Sequence, residues 1–132
     1  MSSFEDAALS AAADCIAPDG SEIRLLGKTP RGSSCHARLA AAQTARAVRH
    51  RSVDELWFCL SGIGRIWRKS GEREDVSELR EGRSISLPAG TSFQWRNDGP
   101  GPLDVLIATI PPWPGDDEAV EVAGAWAPRE GS

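Results

Sequence analysis

Between Gly82 and Asn97 the chain reads GRSISLPAGTSFQWRN, two short runs separated by Pro88-Ala89-Gly90. Proline presets one backbone angle and glycine accepts the left-handed one, so the triplet is a turn and its flanks, 84–87 and 92–97, are strands. The same punctuation runs through most of the chain, with turn signals every eight to twelve residues after a loop at 28–33. Further strands are expected at 35–41, 45–48, 56–60, 64–69 and 103–110, and EIRLLG alternates well enough to supply a first one. Pro111-Pro112-Trp113-Pro114-Gly115 then ends the last strand, because proline cannot donate to a ladder. Short strands at this spacing, with almost no helix between them, argue for a β-sandwich or barrel. One helix is expected ahead of them. Residues 3–16 are Ala-rich, with Phe4, Ala8, Ala12 and Ile16 at near-helical spacing, Ser3 as a cap and Asp6 three residues on.

The spacing Gly82, five residues, Pro88-x-Gly90, two residues, Phe93, three residues, Asn97 resembles the second motif of the cupin superfamily, G-x5-P-x-G-x2-H-x3-N. Phe93 stands where the family carries a metal-binding histidine. Upstream, VRHRSVDELWFCLSG holds His50, four residues, Glu55, six residues, Gly62. That is similar to the first motif, G-x5-H-x-H-x(3 or 4)-E-x6-G, with Val48 in place of its first histidine and Ala42 in place of its leading glycine. The resemblance covers roughly residues 34 to 110. Through HRSVDELWF and PPWPGDDEAV it extends to a group of small bacterial single-domain cupins. It implies an all-β chain with a single antiparallel double-stranded β-helix, or jelly-roll barrel, at 21–112. A helical extension at 1–20 would precede the barrel, and a tail at 113–132, with Trp126 as an anchor, would pack on it. Small cupins commonly pair, and the edge strands, N-terminal segment and Trp-bearing tail lead us to expect a homodimer.

Composition narrows the partners. A chain of 132 residues is long enough for one core, and its net charge of -4 with no densely basic segment excludes the footprint of a nucleic-acid binder. The apolar runs are too short to span a bilayer. Glu5 and Asp6 lie where an export signal needs positive charge. Cys15, Cys35 and Cys59 are odd in number and lack CxxC spacing, which suits reduced thiols and a cytoplasmic protein. The chain has no tyrosine but five tryptophans, four of them between positions 57 and 113. That clustering suggests a pocket, with ordinary core packing as the alternative.

Strand side chains alternate faces, so Glu55, Trp57 and Cys59 share one, as do Phe93, Trp95 and Asn97, and Arg46, Val48 and His50. The resemblance points Glu55 into the barrel. The expected cavity wall is then Arg46, His50, Glu55, Trp57, Phe93 and Trp95, with Val48 and Cys59 deeper. Such a wall suits a small organic ligand, and Arg46 at its mouth suits a carboxylate or phenolate. As metal ligands His50 and Glu55 number only two, where firm retention of a transition metal usually needs three. Cys59, His36 or Gln94 would have to be the third. No cofactor, or a weakly bound divalent transition metal, is therefore expected. The same pair without metal could act as acid and base in a lyase, isomerase or cyclase. The competing readings are a non-catalytic sensor or carrier and a metal-dependent oxygenase with an unusual ligand set.

Overall fold

The computed structural model describes residues 4–131. Turn-punctuated alternation becomes a chain of strands: β1 (Cys15–Ile16), β2 (Glu22–Thr29), β3 (Gly32–Leu39), β4 (Val48–His50), β5 (Asp54–Ser61), β6 (Ile63–Ser70), β7 (Arg73–Arg80), β8 (Ser84–Leu87), β9 (Ser92–Asn97), β10 (Leu103–Ile110) and β11 (Ala119–Glu121). All pair antiparallel, in two sheets of order β1-β2-β3-β10-β5-β8 and β11-β4-β9-β6-β7. The sheets enclose one core that includes Leu39, Trp57, Ile66, Leu79, Trp95 and Leu103. This is the expected all-β jelly roll, and its strand 92–97 falls where the Pro88–Gly90 turn put it. Among the described residues no helix is long and apolar enough to cross a membrane.

Glycines of the first motif region serve two different needs. Gly62 turns β5 into β6 with φ +97, and a Cβ there would lie 2.6 Å from the Pro102 carbonyl oxygen. Gly64 has no such angle; a Cβ there would collide with the Arg96 carbonyl of the neighbouring β9. Ala42, at the position of the motif's leading glycine, keeps the glycine-like conformation with φ 65.

Three expectations are corrected. The N-terminal stretch is not helical from Phe4 to Asp14, and Cys15–Ile16 is a strand; the capping residue Ser3 lies outside the described residues. A short helix needs tertiary packing to persist, and Phe4 and Leu9 are left exposed. Its carbonyls are instead taken by β2: Arg24 donates to Ser10 and Ala11 oxygens at 2.8 and 2.9 Å. The supposed loop at 28–33 is a tight hairpin, with Lys28 and Thr29 still paired to Ser33 and Gly32. The strand expected at 45–48 lies at Val48–His50, with only a bridge at Thr44 before it.

Candidate functional site

Alternation along β5 carries Glu55, Trp57 and Cys59 inward, and β9 sends Phe93 and Trp95 to meet them from the other sheet. Val48 pairs with Phe93 across β4 and β9, which sets His50 at the end of β4 beside the same space. These side chains border a cavity of about 880 Å³, lined also by Asp19, Cys35, Thr109 and Trp113. Its aromatic rings meet edge to face. Trp57 contacts Trp95 and Phe93 at centroid distances of 4.9 and 5.7 Å, and His50 contacts Phe93 and Trp113 at 5.0 and 5.1 Å.

Glu55 is held from both sides: Trp57 Nε1 donates to Oε1 at 3.0 Å and Thr109 Oγ1 to Oε2 at 2.9 Å. Burial nevertheless dominates and lifts its carboxyl from 4.5 to about 7, against the pull of those two donors. His50 Nδ1 lies 3.7 Å from Glu55 Oε1, too far for a hydrogen bond. Burial also lowers the His50 pKa, opposed by the more distant charges of Asp19 and Glu118. Near neutral pH the cavity thus holds an uncharged imidazole beside a carboxyl poised between its two forms. Asp19 forms a second carboxylate station. Its Oδ1 accepts from Ser21 N and Oγ at 2.9 and 2.7 Å, and its Oδ2 from Trp95 Nε1 at 3.0 Å.

Of the residues singled out in the sequence, His50, Glu55, Trp57, Phe93, Trp95 and Val48 all line this cavity. Arg46 does not; it is exposed, and its Nη1 reaches the Pro18 carbonyl at 3.4 Å. Its backbone lies before β4 begins, so strand parity does not govern it. Cys59 is buried in the core below the cavity, its Sγ 3.7 Å from the Ser61 carbonyl. The other two proposed third ligands are engaged elsewhere. His36 sits 3.2 Å from Asp104, and Gln94 donates to the Ala45 and Trp126 carbonyls and accepts from Trp126 N. Among the described residues no three His, Cys, Asp or Glu side chains gather as a metal would require.

Asp19, Thr109, Trp113 and Cys35 were not recognised as site residues from the sequence. Asp19-Gly20 reads in the sequence as a turn, and Trp113 enters only through the tryptophan clustering and the proline-rich strand terminator, not as a named wall residue. One signal did exist: a buried tryptophan N–H such as that of Trp95 needs an acceptor from somewhere in the fold. Burial holds the Cys35 thiol up at about 12, with the Glu55 charge adding to it, so it is a neutral wall group.

The surroundings of the cavity coincide with a known domain. Residues 36–109 match the family model described as a cupin domain. No curated protein is significantly similar in sequence. Among solved structures, a protein from Thermus thermophilus is 22% identical with a TM-score of 0.59, over 75% of this chain and 90% of that one. An uncharacterized conserved protein with a double-stranded β-helix domain from Klebsiella pneumoniae is 15% identical with a TM-score of 0.65, over 82% and 89% of the two chains. A recombinant oxalate oxidase in complex with glycolate is 16% identical with a TM-score of 0.66, over 80% of this chain and 58% of that one. Identities this low carry the fold and nothing finer. The family match spans more than half of the sequence, and on that ground, with the antiparallel double-stranded architecture around it, the chain belongs to the cupin-domain family.

Proposed function

We propose that the barrel binds a small, flat organic molecule between its aromatic walls and moves a proton on it with His50 and Glu55, as a lyase, isomerase or cyclase does. The observation that carries this reading is the pair itself: an imidazole and a carboxyl 3.7 Å apart, both buried and both opening on one cavity. Neutral His50 accepts a proton from the substrate, and the acid form of Glu55 returns one to the atom that gains electron density. Thr109 and Trp57 hold the carboxyl in place while it changes charge.

The donor set does not fit a firmly held transition metal. Val48 and Phe93 occupy the places of two family histidines, and both Glu55 oxygens already accept hydrogen bonds. The alternative is a carrier or sensor that holds its ligand unchanged. Proton NMR in D2O, on a panel of aromatic carbonyl compounds incubated with the protein, separates the two. Proton transfer predicts solvent deuterium entering a bound compound, and a loss of about 100-fold or more in that rate in His50→Ala with the strand content retained. Compounds that bind without exchange, equally in both proteins, would establish the carrier instead.

A further inference from the structure

Resting on the reading of the cavity as a small-molecule site, we infer that its ligand is an organic cation, a protonated or quaternary amine on an apolar body. Three independent features of the lining converge on this. The first is charge. Among the described residues five carboxylates line the cavity, Asp19 and Glu55 inside and Glu5, Asp6 and Asp116 toward solvent, against Lys28 as the one ammonium and no arginine. With Glu55 protonated the balance is still four to one. An anion would meet repulsion at the mouth and no guanidinium inside, since Arg46 lies outside the lining.

The second feature is the walls. Successive rings meet at interplanar angles of 76 to 85°, so Trp57, Phe93, His50 and Trp113 turn through near right angles and border the space from more than one side. Aromatic faces carry negative quadrupole density, and rings set at angles form the kind of cage that takes a quaternary or protonated nitrogen. The third is unsatisfied hydrogen-bonding capacity. His50 is only 8% exposed and, among the described residues, its side chain makes no hydrogen bond, its nearest polar contact being the 3.7 Å approach to Glu55. Asp19, also 8% exposed, has Oδ2 engaged by a single donor, Trp95 Nε1, and retains lone pairs for a ligand N–H or a cationic nitrogen. The carboxylate balances the ligand's charge, and the rings replace the water stripped from it.

Titration calorimetry with three probes of similar shape tests the inference: benzyltrimethylammonium, its uncharged isostere neopentylbenzene, and phenylacetate. Benzyltrimethylammonium is expected to bind at least tenfold tighter than neopentylbenzene, with phenylacetate weakest. Asp19→Asn is expected to remove most of the cation's advantage while leaving neopentylbenzene unchanged. Asp116→Asn, at an exposed position where folding is not at stake, is expected to lower cation affinity severalfold at low salt and not at high salt. Equal binding of the cation and its uncharged isostere would overturn the cation inference and leave the pocket reading standing, as would tighter binding of phenylacetate. Binding of none of the three would overturn both.

Discussion

Strand β5 separates two environments that differ in an unusual sense. Its inward row, Glu55, Trp57 and Cys59, is 5, 2 and 0% exposed, whereas its outward row, Leu56, Phe58 and Leu60, is 51, 43 and 40% exposed. An antiparallel strand with one solvated face ordinarily turns its polar residues out and its apolar ones in. Here a carboxylate is inside, and the outward row, after the exposed Asp54 at its start, is apolar from Leu56 to Leu60. A buried carboxylate costs stability and is kept where chemistry uses it, while an exposed apolar row costs solubility and is kept where something covers it. The outward row continues onto β10, where Leu106 pairs with Phe58 and Ala108 with Leu56, and onto β8, where Ser86 and Ser84 pair with Leu56 and Phe58. Where a face meets its own copy across a two-fold axis, a charge near the axis meets the same charge and repels it. Those positions carry none. We propose that a second copy of the chain covers them, giving the homodimer expected from the sequence.

The contrast is most sharply tested from the inside. In the folded chain Glu55 binds its proton up to about pH 7, whereas its ordinary value is 4.5. The folded state therefore holds more protons than the unfolded one across that window, and stability falls as pH rises through it. Above the window the ionised group costs on the order of 3 kcal/mol, a figure that follows from the shift itself. Glu55→Gln carries no charge to bury. Its amide can accept from Trp57 and donate to the Thr109 hydroxyl, which rotates to suit. Urea denaturation at pH 5 and pH 8 is expected to show the variant gaining roughly 2 to 3 kcal/mol on the wild type between the two. The contribution of His50, whose lowered pKa costs stability as pH falls, is common to both proteins and cancels. A difference independent of pH would mean that the inner row is as well solvated as the outer.

From the outside, Phe58→Asp places a charge at the centre of the apolar row. If a second copy covers that row, light scattering at micromolar concentration should give two chains for the wild type and one for the variant. Loss of a central anchor of this kind is worth about 2 kcal/mol or more. The inward row is untouched, so probe binding in the cavity should persist. A wild-type mass of one chain would sink the dimer.

The smallest expected effect lies on the connection leading into the site. Ala42 holds φ 65, a conformation that burdens a residue with a Cβ by about 1 kcal/mol. Ala42→Gly relieves it. A gain of about 1 kcal/mol in chemical denaturation, with the cavity unchanged, is expected; a loss would mean that the alanine methyl packs better than it strains.

Legibility followed how local each cause was. The strands β5, β8, β9 and β10 could be read because turn residues punctuate them and because their own alternation marks the buried face. β7 could not: REDVSELR has charges on both faces and buries little beyond Leu79, as suits the edge of a sheet that must not pair further. The N-terminal helix failed for the opposite reason, since its spacing was right and no partner surface received it. Within the site, parity along a single strand located Glu55, Trp57, Phe93 and Trp95. It said nothing reliable of Arg46, which lies outside any strand.

What the sequence determined by itself is the part set by short-range geometry: the antiparallel all-β architecture, the turns, and which side of β5 and β9 faces in. The tertiary structure decided what stands opposite. Asp19 accepts from Trp95 across 76 residues and Thr109 donates to Glu55 across 54, while Trp113 closes on His50 from the connection between β10 and β11. Such pairs depend on how two sheets close over one another. A chain's local preferences specify each strand, but only closure brings a turn carboxylate and a tail tryptophan to the same cavity.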